Sequence, residues 1–315
     1  MIFCRMLISR GFGVKKASVL SGVPKSTYYN RLLIKEMESR RYIPEKDVKK
    51  IVELCSIRTT YGYRRIWALL RREGINHNPK TVLRIMKGYN LALKKNVHKG
   101  RQKREKLYRA RGPEQLWEAD ITYIPTVEEG MTCLFNVKDC FTKKWVGYEY
   151  SRTCNRRDAI KSIENATKEY VGGKVTGIVL RTDNGTQYTS KMFKGGVKAL
   201  GFKQEYIEKN TPEDNGDIES FHNSIKRDYI WTNEFRTYEE TNRTIKEAYR
   251  DYNEERPHST IEYMSPNEFI ERWNVDENFR ERYLNSLDKK RDRRMKRMEK
   301  RYKATKDREE VRINV

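Results

Sequence analysis

Three acidic residues in this 315-residue chain stand where side-chain oxygens could act together. Asp120 lies within "WEADITYI", where Trp117, Ala119, Ile121 and Tyr123 alternate with Asp120 and Thr122 in the period of a strand. Asp183 follows the apolar run "GIVL" and opens the Asn-Gly turn of "RTDNGTQYTS". Glu219 falls in the first turn of a helix expected after "NTPEDNGDI". Singly, each has an ordinary structural use, as a strand polar residue, a turn former or an N-terminal helix charge. Brought to one end of a sheet, the three would repel one another unless a cation lay between them. An all-oxygen ligand set suits Mg²⁺ or Mn²⁺. Two such ions about 4 Å apart can activate an attacking oxygen and stabilise a leaving one in phosphoryl transfer.

The helix that would carry Glu219 has two stripes. Ile218, Phe221, Ile225 and Tyr229 recur at i, i+3, i+7 and i+11 as an apolar side. Glu219, His222, Asn223 and Lys226 recur beside it at i, i+3, i+4 and i+7. Such a helix packs by one stripe and shows carboxylate, imidazole, amide and ammonium along the other.

Around these residues the pattern is that of strands followed by a strand–helix alternation. "LWEADITYI", "MTCLFNVKDCFT" and "KWVGYEYS" form an expected antiparallel meander. A helix in "NRRDAIKSIENATKEYV", the strand "VTGIVL", a helix over 190–200, the strand "KQEYIE" and the Glu219 helix follow. The order β-β-β-α-β-α-β-α describes an α/β unit with a mixed sheet.

The flanks are different in kind. The net charge is +23, yet residues 1–112 hold 29 Lys and Arg against 7 Asp and Glu, while residues 113–288 hold 25 against 32. Residues 289–315 hold 13 against 5. Basic ends around an acidic centre fit polyanion binding at the ends and carboxylate chemistry in the middle. "GVKKASVLSGVPKSTYYNRLL" reads as a helix-turn-helix, turning at Ser21-Gly22-Val23 and restarting at Pro24. Its second helix offers Lys25, Ser26, Thr27, Tyr28 and Arg31 to phosphates and base edges. A second small helical unit ends in "NPKTVLRIMKGYN", with Asn78 as N-cap and Gly88 as C-cap; Lys80, Thr81, Arg84 and Lys87 lie off its apolar face and would meet DNA. Residues 94–112 read as a basic linker, and the tail after 288 as a basic arm rather than a core element. No run of about eighteen apolar residues is present, so no membrane role is expected. Five cysteines without a C-x-x-C pair and four scattered histidines give no zinc or disulfide framework. The expected setting is cytoplasmic and nucleoid-associated.

"WEADITYI", "LRTDNGTQYTS" and "PEDNGDIESFHNSIK" resemble the three motifs of insertion-sequence DDE transposases with a retroviral-integrase-type core. Thirty-five residues separate Asp183 from Glu219, the spacing of the D,D(35)E group. "YGYRRIWALLRREG", "NPKTVLRIMKGYNL" and "YNEERPHSTIEYMSPNEF" are similar to that family's flanking segments. The resemblance implies an RNase H-like, mixed-sheet catalytic core preceded by small all-α helix-turn-helix DNA-binding units. It implies Asp120, Asp183 and Glu219 as catalytic ligands of two Mg²⁺ ions, with Mn²⁺ able to substitute, and Lys226 and Asn184 as residues facing DNA. It further implies binding to terminal inverted repeats and target DNA by a homo-oligomer, end cleavage by water to free a 3′-OH, and strand transfer. Arg181 departs from the pattern, since a His is common two residues before the second aspartate. Two other readings use the same features: a non-catalytic DNA-binding regulator, and an RNase H-like nuclease acting on hybrids or junctions. The expected organisation is 1–43 helix-turn-helix, 44–93 second helical unit, 94–112 linker, 113–235 catalytic core, 236–288 helical segment and 289–315 basic tail.

Overall fold

The computed structural model describes residues 2–27, 43–93, 110–172, 175, 177–207 and 216–313. The chain divides into two compact units, Met1–Ala92 and Leu93–Val315.

The first unit is all helix: α1 Ile2–Ser9, α2 Val14–Ser21, α3 Glu45–Ile57, α4 Tyr63–Arg72 and α5 Pro79–Gly88. Gly22 ends α2 in the left-handed conformation, and residues 25–27 restart a helix, as the Ser-Gly-Val turn foretells. Ile51, Leu54, Ile66, Leu70, Val82, Ile85 and Met86 are buried together, one stripe from each of α3, α4 and α5. A polar clamp closes this core: the Trp67 indole donates to the His77 carbonyl at 2.7 Å, and His77 Nε2 lies 2.8 Å from Asp47 Oδ2. Asn78 caps α5 through its bond from Lys80 N. Gly88, expected as the C-cap, is instead the last helical residue, and Asn90 takes the left-handed position at φ 57°. Asn tolerates that conformation because its short amide can bond locally.

The second unit is built on a five-stranded sheet in the order β3-β2-β1-β4-β5, with β1 Leu116–Thr126, β2 Gly130–Asp139, β3 Trp145–Ser151, β4 Val179–Thr182 and β5 Lys203–Tyr206. β1, β2 and β3 pair antiparallel, whereas β1, β4 and β5 pair parallel. Between β3 and β4 runs α6 Arg156–Val171, and between β4 and β5 a single turn Thr186–Thr189 and α7 Lys191–Ala199. Both faces are covered. Trp117, Ala119, Phe135 and Val137 pack under Ala159, Ile163 and Ala166 of α6 and Phe193 and Val197 of α7. A Cβ at Gly147 would lie 2.5 Å from Ala166, so that glycine lets α6 settle on β3. The other face, which in β1 carries Asp120 and Thr122, is buried as well. Ile124, Leu134, Trp145 and Tyr150 meet α8 Gly216–Ile225 and α9 Tyr238–Glu254 there. The local period shows two faces but not that a later helix covers the second.

At its C-terminal end α8 gives way to a π-helical turn, Lys226–Ile230, and Tyr229 within it still packs against the same cluster as Ile218, Phe221 and Ile225. The turn is held from below, where Asp228 and Arg256, both nearly inaccessible, pair at 3.0 Å. α10 Pro266–Val275 starts with a Ser265/Glu268 capping box, and α11 Glu277–Ile313 follows. Phe269, Phe279 and Tyr283 bury Phe141 of the β2–β3 turn, which ties these helices to the sheet. The tail expected as a basic arm is continuous helix to Ile313, a stretch rich in Arg, Lys, Glu and Met and free of Gly and Pro. No helix among the described residues is long and apolar enough to cross a membrane.

Candidate active site

The parallel pairing of β1 with β4 decides where two of the three carboxylates meet. Ala119 stands opposite Thr182, so Asp120 and Asp183 occupy the next step of the same register, side by side where β4 ends. Opposed residues of parallel strands point to the same face; here it is the face under α8. Asp120 Oδ1 accepts the Ile121 N–H at 2.8 Å, and Asp183 Oδ1 accepts the Gly185 N–H at 2.9 Å. A Cβ at Gly185 would sit 2.9 Å from that same Asp183 oxygen. The Asn-Gly turn therefore clears space for the carboxylate. Tyr188, fully buried behind the turn, has its hydroxyl pushed well above its ordinary value by burial and then by the Asp120 and Asp183 charges, which places both carboxylates near one ring.

α8 brings the remaining groups. Ile218, Phe221 and Ile225 are buried, as their spacing foretells, and Glu219 is exposed in the first turn. His222 is buried, with Nδ1 3.7 Å from Asp120 Oδ2 and Nε2 3.1 Å from the Asn136 amide nitrogen. Burial, then the Lys226 and Lys138 charges, push its pKa down to about 3, so the ring beside Asp120 is neutral at pH 7. Lys226 is half-buried at the first position of the π-helical turn.

The three predicted carboxylates are not all gathered. Among the described residues, the one trio of potential ligand groups with atoms within 4.8 Å of one another is Glu118, Cys140 and Asp217. That trio is already neutralised by side chains: Asp217 lies 3.1 Å from Lys138 Nζ and 2.6 Å from Lys143 Nζ. Burial opposes ionisation of Asp217, but the two ammoniums overcome it and hold the carboxyl well below the usual range. Asp120 faces the neutral His222 ring, and Glu219 is exposed to solvent. The donor chemistry, oxygen only from Asp120, Asp183 and Glu219, fits a hard divalent cation.

Comparison with known proteins decides the family. Family models described as integrase core domain match residues 110–212 and 200–266, and one described as HTH-like domain matches residues 43–99. The transposase for insertion sequence element IS904 of Lactococcus lactis is 31% identical over 224 residues, covering 66% of this chain and 87% of the relative. The chain belongs to the insertion-sequence DDE transposases with an integrase-type core. Transposase InsD of IS2 from Escherichia coli is 28% identical, over 84% of this chain and 93% of its own. The HTLV-2 integrase catalytic core domain, solved in complex with magnesium, is 17% identical with a TM-score of 0.40, covering 51% of this chain and 99% of that one.

As a transposase of this family the chain is a polynucleotidyl transferase, and its mixed-sheet unit is the RNase H-like core preceded by helix-turn-helix units. The HTH-like match falls on the segment expected as the second helical unit. There Lys80 and Arg84 are exposed and Thr81 is half-buried, all off the Val82/Ile85/Met86 side. Lys25, Ser26 and Thr27 are exposed, while Tyr28 and Arg31 lie outside the described residues. Asn184 has a structural partner, since its amide donates to the Ile207 carbonyl at 2.6 Å and ties the Asp183 turn to the end of β5. Sequence reasoning placed His222 on the right stripe but assigned it no task, and it missed Asn136. The signal for Asn136 was a polar residue inside an apolar strand, which only the register sets opposite Asp120.

Proposed function

We propose that this transposase binds the terminal repeats of its element, cleaves them by hydrolysis and joins the freed ends to target DNA. The reading is carried by the side-by-side stand of Asp120, in the middle of β1, and Asp183, just past the end of the parallel β4, with the Glu219 helix laid over the same face. Asp120, Asp183 and Glu219 would hold two Mg²⁺ ions, or Mn²⁺, whose chemistry is to lower the pKa of an attacking oxygen and to offset charge on the leaving one. The chain's residues orient and exclude. Gly185 keeps the Asp183 carboxylate unobstructed, neutral His222 borders Asp120 without adding charge, and Lys226 offers an ammonium to a phosphate.

In the first step a water oxygen attacks phosphorus and the P–O3′ bond breaks, which leaves a 3′-OH on the element. In the second that 3′-oxygen attacks a target phosphodiester, whose own 3′-oxygen departs and takes up a proton. No covalent bond to protein forms. Helices carrying Lys25, Ser26, Thr27, Lys80, Thr81 and Arg84 supply contacts to DNA, and the joined product requires two ends held together, hence more than one copy of the chain.

Asp120→Asn, Asp183→Asn and Glu219→Gln are each expected to reduce Mg²⁺-dependent end cleavage and strand transfer to background while leaving binding to terminal-repeat DNA intact. Gel assays on labelled ends read all three quantities. Substantial strand transfer by any one variant overturns the assignment.

A further inference from the structure

Directly beneath the aspartate pair runs a second row of side chains, and it is charged throughout. On the α8 face, Lys138 of β2 stands opposite Glu118 of β1, Glu118 opposite Arg181 of β4, and Arg181 opposite Glu205 of β5. The signs alternate across four strands. Glu118, Lys138 and Arg181 are buried, at 2, 2 and 5% exposure. The Arg181 guanidinium forks between its neighbours, with Nη1 3.3 Å from Glu118 Oε1, Nη2 2.8 Å from Glu205 Oε2 and Nε 2.9 Å from that same oxygen. Asp217 of α8 joins the row through Lys138 and Lys143. Glu118, Arg181 and Asp217 thus each lie two residues before Asp120, Asp183 and Glu219. On strands that spacing is one step along the same face.

Three cations and three carboxylates leave this layer without net charge, so its influence on the row above is geometric before it is electrostatic. A buried ion pair is a costly way to hold two strands together, because desolvation offsets most of the attraction and apolar residues of similar size do as well. What an arginine adds is direction. Its planar fork satisfies two acceptors at fixed angles, and a lysine or histidine in the same place could not reach both with that geometry.

We propose that Arg181 is a positioning residue for the metal site: by bridging Glu118 and Glu205 it fixes the lateral spacing of β1, β4 and β5, and with it the separation of the Asp120 and Asp183 carboxylates one step above. This rests on the reading of those two aspartates as metal ligands. It gives a task to the residue that departs from the family's sequence pattern.

The test is direct Mn²⁺ binding to the full-length chain, read by electron paramagnetic resonance, alongside cleavage as a function of metal concentration and binding to terminal-repeat DNA. The variant is the double substitution Glu118→Gln with Arg181→Met, which removes both buried charges of the inner pair and leaves Glu205, 31% exposed, to water. It should melt cooperatively and bind end DNA as the parent does, yet bind Mn²⁺ about 10- to 100-fold more weakly, the range for residues that orient ligands. Arg181→Lys should recover part of that loss. A folded double variant with unchanged Mn²⁺ affinity and metal dependence overturns the proposal. Should the double variant not melt cooperatively, Glu205→Leu removes one acceptor of the fork at a partly exposed position, and unchanged Mn²⁺ affinity there overturns it equally. Asp120→Asn and Asp183→Asn are run beside these: if they bind Mn²⁺ like the parent, it is the metal reading itself that fails, whatever Arg181 does.

Discussion

Two neighbouring rows of one sheet face are built on opposite rules. The upper row sets Asp120 beside Asp183, two like charges without an intervening cationic side chain in the register. The lower row, one step down the same strands, alternates Lys138, Glu118, Arg181 and Glu205 so that each charge has an opposite neighbour. A protein optimised only for stability would compensate both or bury neither. Setting two carboxylates side by side is the arrangement that the proposed divalent cation would stabilise, and the lower row, with its charges matched, is the one proposed to hold the strands in place.

Breaking the lower row should cost the most. Arg181→Ala leaves Glu118 buried beside Asp217 with one cation fewer, and unfolding in urea should show a loss of about 3–5 kcal/mol. Asp183→Asn in the upper row removes a repulsion instead, and without added metal it should change stability by under about 1 kcal/mol or raise it. Equal losses for the two variants would erase the distinction between the rows.

Crowding the upper row without altering any charge sharpens the comparison. Gly185→Ala puts a methyl group 2.9 Å from Asp183 Oδ1 at an ordinary negative φ of −58°, so the backbone accepts it and the carboxylate must move. Strand transfer should fall by up to about 100-fold, the scale of an ångström's misplacement at a reacting centre, with the melting temperature little changed.

Acid gives a smaller effect, confined to the lower row. Asp217 has its folded pKa depressed by Lys138 and Lys143 against the opposing pull of burial. Its contribution to stability is therefore complete above the unfolded value of 3.8 and is lost as pH falls through the lower folded value. Asp217→Asn should flatten the acid limb of the stability profile below about pH 4, measured by thermal melts across pH. A profile that keeps its full acid slope in the variant would assign that limb to other carboxylates.

The strands, the helix stripes and the Asp183–Glu219 spacing were legible along the chain because they are local, written in periods of two and of three to four residues. Asn78 as a cap and Gly22 as a stop were legible for the same reason. Gly88 was misread because the choice between it and Asn90 depends on where the last turn of α5 releases the chain. The π-helical turn after Ile225 was invisible, since the Asp228–Arg256 pair that accompanies it joins residues 28 apart. The buried second face escaped notice because nothing in β1 itself announces which later helix will cover it.

What the sequence determined alone is the inventory: three carboxylates on a strand, at a strand end and on a helix, a helix with an apolar and a polar stripe, basic flanks, and the order of elements along an α/β core. Only the tertiary structure decided partnership. That Asp120 neighbours Asp183, that His222 reaches Asp120, and that Arg181 lies between Glu118 and Glu205 all follow from cross-strand register and helix docking. Register is set by the packing of both sheet faces at once, and no window of neighbouring residues contains that information.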